Sequence, residues 1–563
     1  MGIKHFFYWF RKNFGNNMLK INSGECMDTK YKVNIDHLLL DMNGLFHNAA
    51  QKIYGYGSHK GARVYNPNDI AVFKEVCFNI DKILNIVRPK KSVVLCVDGP
   101  APLSKQVQQR QRRFMAGQDA KESDTKFDSN SITPGTKFMN NLSKYIDWYI
   151  RKKMSENNKQ SPWYYMDVIF SNEKVPGEGE HKLLNFIRKQ INKNNESFCI
   201  YGSDSDLIML SLGTHIKNFY ILRDDMYNAN LYNIINIGQV YNELVNILKW
   251  DDSKLVKKYN PMRAIDDFIF ICFILGNDFL PHIPGVDIIE GGIEFALEIY
   301  KSVSSEFGHL VRKTKTMTKF KREHLCRFME KIGEREREIF IDKLTSREKY
   351  IEDKIYDQCM DSNKTFHIKQ YRKLYYKSNF PEYEKEKICK NYLEGMVWIL
   401  NYYNVGVPDW NWKYNYQYAP FSYNISKYIM DFEFANYKET KGKPTEPFVQ
   451  LLAVLPPVSR NLLPKLLDDV LVSDAYKKNC PDKFNIDYNG KRQKWEGIPI
   501  LPFANYDQIK ETLRVKCKLI LESDLKRNNF GSSFIYSCSN NPKLFKSYYG
   551  DFQSYVDAKI ISF

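Results

Sequence analysis

The sequence, 563 residues long, lacks any long hydrophobic run. Its longest unbroken apolar stretch, residues 268–275, has eight residues, whereas a helix that spans a bilayer needs about 20. The apolar residues 6–10 are followed at once by Arg11 and Lys12, with no small-residue cleavage site after them. They therefore do not form a secretory signal peptide. We expect a soluble, intracellular protein of the cytoplasm.

Paired cysteines are missing as well. The eleven cysteines are scattered, and no two of them have the CxxC spacing that zinc ribbons and redox motifs require. An odd number of cysteines in a chain without a secretory signal indicates reduced thiols. The sequence thus supports neither a disulfide framework nor a cysteine-bound metal.

Acidic residues are outnumbered by basic ones. There are 83 Lys and Arg and 66 Asp and Glu, which leaves a formal charge of +17. An excess of this size predicts an anionic partner, with nucleic acid first and a membrane surface second. Aromatic residues make up 15 % of the chain, enough to supply both a core and stacking surfaces for bases.

The pattern of apolar residues divides the chain into three parts. In residues 1–302, short apolar runs alternate with helical patterns, which predicts a parallel α/β sheet. Residues 303–390 carry dense mixed charge, which is typical of a helical linker with solvated faces. Residues 391–563 are rich in aromatic residues and proline. We expect this second region to pack against the α/β part.

Acidic side chains recur where an apolar run ends or a glycine-containing turn begins. Taken singly, each is explained most simply as a helix N-cap. Together, at the carboxyl ends of parallel strands, they would repel one another unless a divalent cation neutralised them. Oxygen ligands without His or Cys favour Mg²⁺ or Mn²⁺, and two such ions about 4 Å apart support phosphodiester hydrolysis. The seven residues are Asp41, Asp98, Glu178, Glu180, Asp204, Asp206 and Asp278.

A basic stripe follows the second of these acidic residues. On a helix, positions i, i+4, i+7 and i+8 share one face, and here they hold Lys105, Gln109, Arg112 and Arg113. A solvated surface is the simple explanation. The stripe nevertheless begins only seven residues after Asp98, and its amine, amide and guanidinium groups suit an isolated phosphate or the monophosphate of a chain end.

These motifs resemble the 5′→3′ exoribonuclease family of the Xrn/Rat type. The resemblance runs through MGIKHFF, LDMNGLFH, DGPAPLSKQVQQRQRRF, VPGEGEHKLLNFIR, YGSDSDLIMLSL and GNDFLPHIPG, and resumes in WNWKYNYQYAP and LLAVLPPVSRNLLP. The chain departs from the family pattern at Asn415 and Gln417, where Pro and His are usual. It resembles a compact member, and its Lys-, Asn-, Ile- and Tyr-heavy composition suggests a viral or protistan source with an AT-rich genome.

The resemblance implies a fold and a set of roles. It implies a parallel-sheet nuclease core of the flap-endonuclease or PIN-like type in residues 1–302, and a mostly helical, aromatic-rich region that completes the cleft in residues 391–563. The seven carboxylates would be the catalytic, metal-binding cluster, and the basic stripe would bind a 5′-monophosphate. His47 would stack on the terminal base, opposite Trp412 or, as the second choice, Trp410.

The implied function is a processive 5′→3′ exoribonuclease that uses Mg²⁺, with Mn²⁺ as an alternative, and two ions. It would degrade single-stranded RNA with a 5′-monophosphate to mononucleotides, as a monomer, and capped RNA would need an external decapping factor. Two other functions stay open at this stage. One is a structure-specific flap endonuclease, and the other is a catalytically inactive RNA-binding scaffold.

Overall fold

The computed structural model describes most of the chain. The described residues are 3–61, 64–121, 127–156, 158–190, 195–225, 227–250, 258–314, 317–342, 350–363, 365–380, 384–435 and 437–562. Among the helices in these ranges, none is both long enough and apolar enough to cross a bilayer.

Thirteen strands occur in the described residues, and nine of them form one sheet in the order β1-β7-β6-β5-β2-β3-β4-β12-β13. The remaining four form two small hairpins, β8–β9 and β10–β11. The strands are β1 Met18–Asn22, β2 His37–Asp41, β3 Ser92–Cys96, β4 Asp167–Ser171, β5 Phe198–Tyr201, β6 Phe219–Asp224, β7 Leu231–Asn236, β8 Val311–Lys313, β9 Thr318–Phe320, β10 Asn485–Asp487, β11 Ile498–Ile500, β12 Ser533–Phe545 and β13 Phe552–Ile561.

The middle of this sheet is parallel. Strand β2 pairs in parallel with both β3 and β5, so that Leu39 lies between Val94 and Ile200. Strands β4 and β6 extend the parallel set on either side. Both faces of these strands are buried, which explains why they are continuous apolar runs rather than alternating ones. The predicted parallel α/β sheet is confirmed, and its carboxyl ends share one edge.

Helices cover both faces of the sheet and build the second region. Several begin at a capping side chain predicted by their sequence; Asn68, Thr136 and Asn260, for example, each accept a hydrogen bond from a backbone N–H three residues on. The helices are α1 Phe6–Phe14, α2 Met27–Tyr31, α3 Met42–Tyr54, α4 Asp69–Val87, α5 Leu103–Lys121, α6 Lys137–Met154, α7 Gly179–Lys189, α8 Asp206–Leu212, α9 Ile237–Leu248, α10 Pro261–Ile274, α11 Gly292–Phe307, α12 Arg322–Asp342, α13 Lys354–Asp357, α14 Ile368–Asn379, α15 Lys385–Asn404, α16 Ser422–Ile429, α17 Tyr437–Thr440, α18 Pro447–Val454, α19 Lys465–Asp468, α20 Asp474–Lys477, α21 Tyr506–Lys516 and α22 Glu522–Leu525.

The charged segment is less solvated than its composition suggests. Helix α12 buries Leu325, Phe328, Met329 and Ile332 along one face, and this face packs on α11 and α16. Charged residues of the same helix, such as Lys331 and Glu334, form exposed ion pairs. The dense charge is therefore the outer half of an amphipathic helix, whose inner half joins the main core.

The end of the described chain returns to the sheet. Strand β12 lies antiparallel to β4, with Phe534 opposite Phe170, and β13 pairs with β12 as the edge strand. Tyr536 and Val556 of this hairpin are buried in the same core as α4 and α6. Residues from the beginning and the end of the chain thus share one sheet and one hydrophobic core.

Candidate active site

Three aspartates lie at the carboxyl ends of adjacent central strands. Asp41 is the last residue of β2, and Asp98 and Asp204 follow β3 and β5. Asp41 occupies the N-cap position of α3, but its side chain makes no capping hydrogen bond. The Asp98 carboxylate accepts a hydrogen bond from the Gly179 N–H at 2.7 Å. The simple capping explanation therefore does not hold for Asp41.

Close packing brings the head of α7 to the same edge of the sheet. A Cβ atom at Gly179 would lie 2.7 Å from Asp41 Oδ1, so no larger residue fits between the strand ends and this helix. Glu178 precedes α7 and Glu180 lies in its first turn. The Glu178 carboxylate accepts a hydrogen bond from the Tyr402 hydroxyl at 2.5 Å. The glycine between the two glutamates lets both approach the aspartates.

The last two carboxylates are held by longer-range contacts. Asp206 begins α8; its oxygens accept hydrogen bonds from the Ile3 N–H at 2.9 Å and from the Tyr403 hydroxyl at 2.6 Å. Asp278 lies beyond α10 and forms an ion pair with Lys105 at 2.7 Å. We call the seven acidic residues predicted from the sequence the carboxylate cluster. Residues of the N-terminal segment, α5 and α15 contact this cluster and hold its side chains in place.

The carboxylate cluster carries more negative charge than its surroundings neutralise. Burial, followed by the negative charges of Asp98 and Asp204, raises the pKa of Asp41 to about 8. Burial and Asp204 also hold the pKa of Glu180 well above its usual value and raise that of Asp206 to about 7. Buried, mutually repelling carboxylates of this kind favour binding of a cation.

Lys105 is a side-chain cation that forms ion pairs inside this cluster. Its ammonium pairs with Glu178 at 2.5 Å and with Asp278 at 2.7 Å, and all three side chains are nearly inaccessible to solvent. Burial opposes ionisation of Lys105, but the two carboxylates outweigh it and raise the pKa of the ammonium well above its usual value. Burial likewise opposes ionisation of Asp278, but Lys105 prevails and lowers its pKa to about 2.

Within the described ranges, no three His, Cys, Asp or Glu side chains are arranged so that they could hold a metal ion. The donor set itself fits a hard divalent cation, because it consists of carboxylate oxygens and because five residues of the carboxylate cluster line one cavity.

The basic stripe forms one face of α5. Gln109 accepts a hydrogen bond from the Gln450 amide at 3.0 Å, and the Arg113 Nε donates to Thr133 at 3.1 Å. Arg112 is exposed, and among the described residues its guanidinium has no hydrogen-bond or ion-pair partner. Arg110 points away and donates to the carbonyl oxygens of three residues of the second region, namely Ala453, Asn479 and Pro502.

His47 lies on α3, next to the two terminal arginines of the basic stripe. Burial, followed by the positive charges of Arg112 and Arg113, lowers the pKa of His47 to about 4. Burial also lowers the pKa of Arg113 to about 9, and Arg112 contributes to that change. The imidazole is therefore neutral at pH 7, and its ring face can stack against a base.

One cavity of about 1480 Å³, here called the first cavity, brings most of the predicted residues together. Asp278 lines an adjoining cavity, and Asp206 is buried behind the wall. The predicted residues that line the first cavity are Asp41, His47, Asp98, Lys105, Gln109, Arg112, Arg113, Glu178, Glu180 and Asp204.

The tryptophans predicted to stack on the base line neither of these two cavities. Trp412 is stacked on Trp398 of α15, with ring centroids 5.3 Å apart. The Trp410 carbonyl accepts a hydrogen bond from the Leu103 N–H, where α5 begins. Neither tryptophan ring lines the cavity that contains His47. That one of them stacks on the terminal base opposite His47 therefore stays a prediction.

Sequence reasoning missed an aromatic layer beneath the carboxylates. Tyr402 and Tyr403, at the end of α15, donate to Glu178 and Asp206. His181 is stacked on Tyr402 with ring centroids 3.7 Å apart, and in the described structure neither of its ring nitrogens has a hydrogen-bond partner. A tyrosine pair ending an apolar helix carries no signal of such a role, since tyrosine is common in cores.

Comparisons with known proteins agree with this geometry. A family model described as "XRN 5′-3′ exonuclease N-terminus" matches residues 1–225, and one described as "Xrn1 helical domain" matches residues 258–373 and 352–559. The second model covers more than half of the chain. The chain therefore belongs to the Xrn family of 5′-3′ exonucleases.

Curated relatives extend this similarity over nearly the whole chain. The 5′-3′ exoribonuclease 2 of Debaryomyces hansenii is 27 % identical over 98 % of this chain and 73 % of its own length. The human 5′-3′ exoribonuclease 1 is 28 % identical over 94 % of this chain and 35 % of its own, and that of Saccharomyces cerevisiae is 28 % identical over 93 % and 44 %. Together with the family models, these relatives make the chain a 5′-3′ exoribonuclease.

A solved structure of the catalytic core of Rad2 in complex with a DNA substrate was also matched. It shares 14 % identity over 53 % of this chain and 69 % of its own, with a TM-score of 0.28. A similarity this low does not establish a shared fold. The fold is assigned from the strand order of the sheet.

Proposed function

We propose that this exoribonuclease is Mg²⁺-dependent, selects single-stranded RNA with a 5′-monophosphate, and removes mononucleotides processively. The observation that carries the proposal is the composition of the first cavity. A single cavity is lined by five of the seven residues of the carboxylate cluster, by the basic stripe and by a neutral imidazole. These are the groups needed to hold a metal ion, a terminal phosphate and a base, respectively.

Metal binding is supported by charge and by donor chemistry. Asp41, Asp98, Glu178, Glu180 and Asp204 supply hard oxygen donors from one wall, and Asp206 and Asp278 lie directly beside them. When bound, Mg²⁺ would lower the pKa of an attacking water and stabilise charge on the leaving oxygen, and Mn²⁺ could replace it with the same ligands. Tyr402, Tyr403 and Lys105 would orient the carboxylates that hold it.

Recognition of the 5′-monophosphate is assigned to the basic stripe. Arg112 has no protein partner among the described residues, and Arg113 uses only its Nε, so both guanidinium groups retain N–H donors for phosphate oxygens. A triphosphate or a cap carries further groups, and the basic stripe would have no donors left to bind them. Such ends would need a separate activity, such as decapping, before degradation.

Processivity would follow from repeated recognition of the end. Each cleavage creates a new 5′-monophosphate one nucleotide further along the RNA. His47, on α3 beside Arg112 and Arg113, would stack on the base of that terminal nucleotide in any sequence. The RNA could then advance without dissociating, and a duplex would have to be opened before entering.

The test compares one RNA carrying a 5′-monophosphate, hydroxyl, triphosphate or cap, with the purified monomeric chain in Mg²⁺ or in EDTA. We expect ordered release of mononucleotides from the 5′-monophosphate form only, and none in EDTA. Equal rates on all four ends would refute the end selectivity. Internal cleavage of a branched substrate would indicate a flap endonuclease, and binding without hydrolysis would indicate a scaffold.

A further inference from the structure

A second cavity, of about 790 Å³, adjoins the first. The two cavities share Arg112, Ala116 and Ser203 as lining residues, so they meet where α5 passes the end of β5. The second cavity extends from there between the N-terminal segment, the loop around Asp278 and the second region. Its volume lies within the range of about 300–1,000 Å³ that is usual for small-molecule sites.

The far part of this cavity contains two lysines. Lys4 and Lys491 both line it, and among the described residues neither ammonium has an ion-pair partner. Burial lowers the pKa of Lys491 to about 8, and the nearby charge of Lys4 contributes to this. Asp287 and Glu496 lie near both amines, but in the described structure neither carboxylate forms a direct ion pair with them, so both ammonium groups keep N–H donors for an anionic ligand.

The same part offers an aromatic surface. Trp495 is 58 % exposed although it is a large apolar residue. The Lys4 ammonium lies 5.9 Å from the centroid of its ring, and the centroid of the His5 ring lies 5.3 Å from it in a tilted arrangement. An exposed indole next to unpaired cations suits a ligand that has both a base and a phosphate.

Unsatisfied polar atoms point to a ligand independently. Four residues that line the second cavity each carry a buried side-chain oxygen without a hydrogen-bond partner among the described residues. Ser104, next to Lys105, is only 3 % exposed. Buried polar atoms are rarely left unpaired, so this cavity is built to hold polar groups. The four atoms are Ser104 Oγ, Gln108 Oε1, Gln417 Oε1 and Asn489 Oδ1.

We propose that the second cavity is the exit path of the mononucleotide product, with Lys4 and Lys491 as a transient site for its phosphate and Trp495 for its base. The inference rests on the proposed function. During processive degradation the remaining RNA fills the first cavity, so a cleaved nucleotide cannot leave by that route without displacing it. Arg112 holds the terminal phosphate at the junction, and from there the second cavity leads outward.

The steric test uses Gln111 of α5, which lines the second cavity but not the first. We expect Gln111→Trp to narrow the exit, and Gln111→Ala serves as the matched control. The enzyme is mixed in excess with an RNA that carries a 5′-monophosphate, and the reaction is stopped by rapid quenching. The lengths of the RNA products at each time give the rate of each successive cleavage. The first cleavage should proceed within about twofold of wild type, whereas later cleavages should slow by at least about fivefold because each waits for product release.

The charge test uses Lys4→Gln/Lys491→Gln, with the exposed Lys494→Gln as its control. Product inhibition by adenosine 5′-monophosphate should weaken by about tenfold in the double variant and not in the control, since two charged contacts to the phosphate are lost. Unchanged inhibition, together with unchanged later cleavages in Gln111→Trp, would overturn the exit path.

These outcomes are separate from a failure of the proposed function. If wild type does not degrade 5′-monophosphate RNA stepwise, the proposed function itself is refuted. If wild type does so and Gln111→Trp slows the first cleavage as much as the later ones, the second cavity belongs to substrate binding, and the exit path is refuted alone. Thermal unfolding of each variant, compared with wild type, identifies any that is misfolded, and Gln111→Phe then replaces Gln111→Trp.

Discussion

Replacing Lys105 with methionine removes the ammonium that pairs with two residues of the carboxylate cluster and keeps nearly the same side-chain volume. The Lys105 ammonium lies 2.5 Å from Glu178 and 2.7 Å from Asp278, in a site that solvent hardly reaches. Breaking a buried ion pair from one side leaves an uncompensated charge and destabilises a protein by about 3–5 kcal/mol. We expect Lys105→Met to lower the free energy of unfolding by this amount at pH 7 without divalent ions.

The pKa of Asp278 gives an independent estimate of part of this loss. In the folded protein it is lowered to about 2, whereas an unfolded Asp titrates near 3.9, and the difference corresponds to about 2–3 kcal/mol. A lowered carboxyl pKa stabilises the fold above the unfolded pKa, and this contribution is lost as the pH falls from about 4 to 2. The variant's buried carboxylates would instead be protonated more easily than in the unfolded chain, so its deficit should grow from pH 4 to pH 7.

The assay is urea unfolding of wild type and Lys105→Met in EDTA at several values between pH 4 and 7. Lys182→Met is the matched control, because the Lys182 ammonium is buried but donates to the carbonyl oxygens of Val97 and Asn172. Burial lowers the pKa of Lys182 to about 8, so it stays protonated below pH 7. Because its ammonium forms no ion pair among the described residues, although Asp98 and Glu173 lie nearby, its loss should depend on pH less than the loss of Lys105. A pH-independent deficit below about 1 kcal/mol in Lys105→Met would refute the reasoning.

The remaining predictions concern α5, the base and the carboxylates. Arg110→Ala should destabilise the fold by about 3 kcal/mol in thermal or urea unfolding, because three buried carbonyls lose a charged donor. Arg112→Ala should leave stability within about 0.5 kcal/mol but abolish the preference for 5′-monophosphate over 5′-hydroxyl RNA in a competition assay; a retained preference would place the phosphate elsewhere. His47→Ala should shorten the run length per binding event and strengthen stalling at a hairpin, and unchanged intermediates would exclude the stack. Asp204→Ala should abolish hydrolysis while RNA binding in Ca²⁺ persists, since affinity comes mainly from basic and aromatic surfaces.

The parallel sheet and its acidic edge could be predicted because their determinants are local. Buried parallel strands are uninterrupted apolar runs, and Asp41, Asp98 and Asp204 follow such runs within three residues. The carboxyl ends of parallel strands lie at the same edge of the sheet, so acidic residues that follow each strand in the sequence are brought together there. The basic stripe could also be predicted, since helical spacing alone places Lys105 next to Gln109, and Gln109 next to Arg113, along one side of α5.

The sequence alone therefore determined the parallel sheet, its carboxylate edge and the basic face of α5, whereas only the tertiary structure decided which groups neutralise and orient them. Nothing local pairs Lys105 with Asp278, Tyr403 with Asp206 or β12 with β4, because each contact joins segments more than 150 residues apart. The same holds for the second cavity, whose walls come from the N-terminal segment, α5 and the second region. Backbone periodicity is set by neighbours along the chain, but burial, charge pairing and cavities are set by whichever distant surfaces pack together.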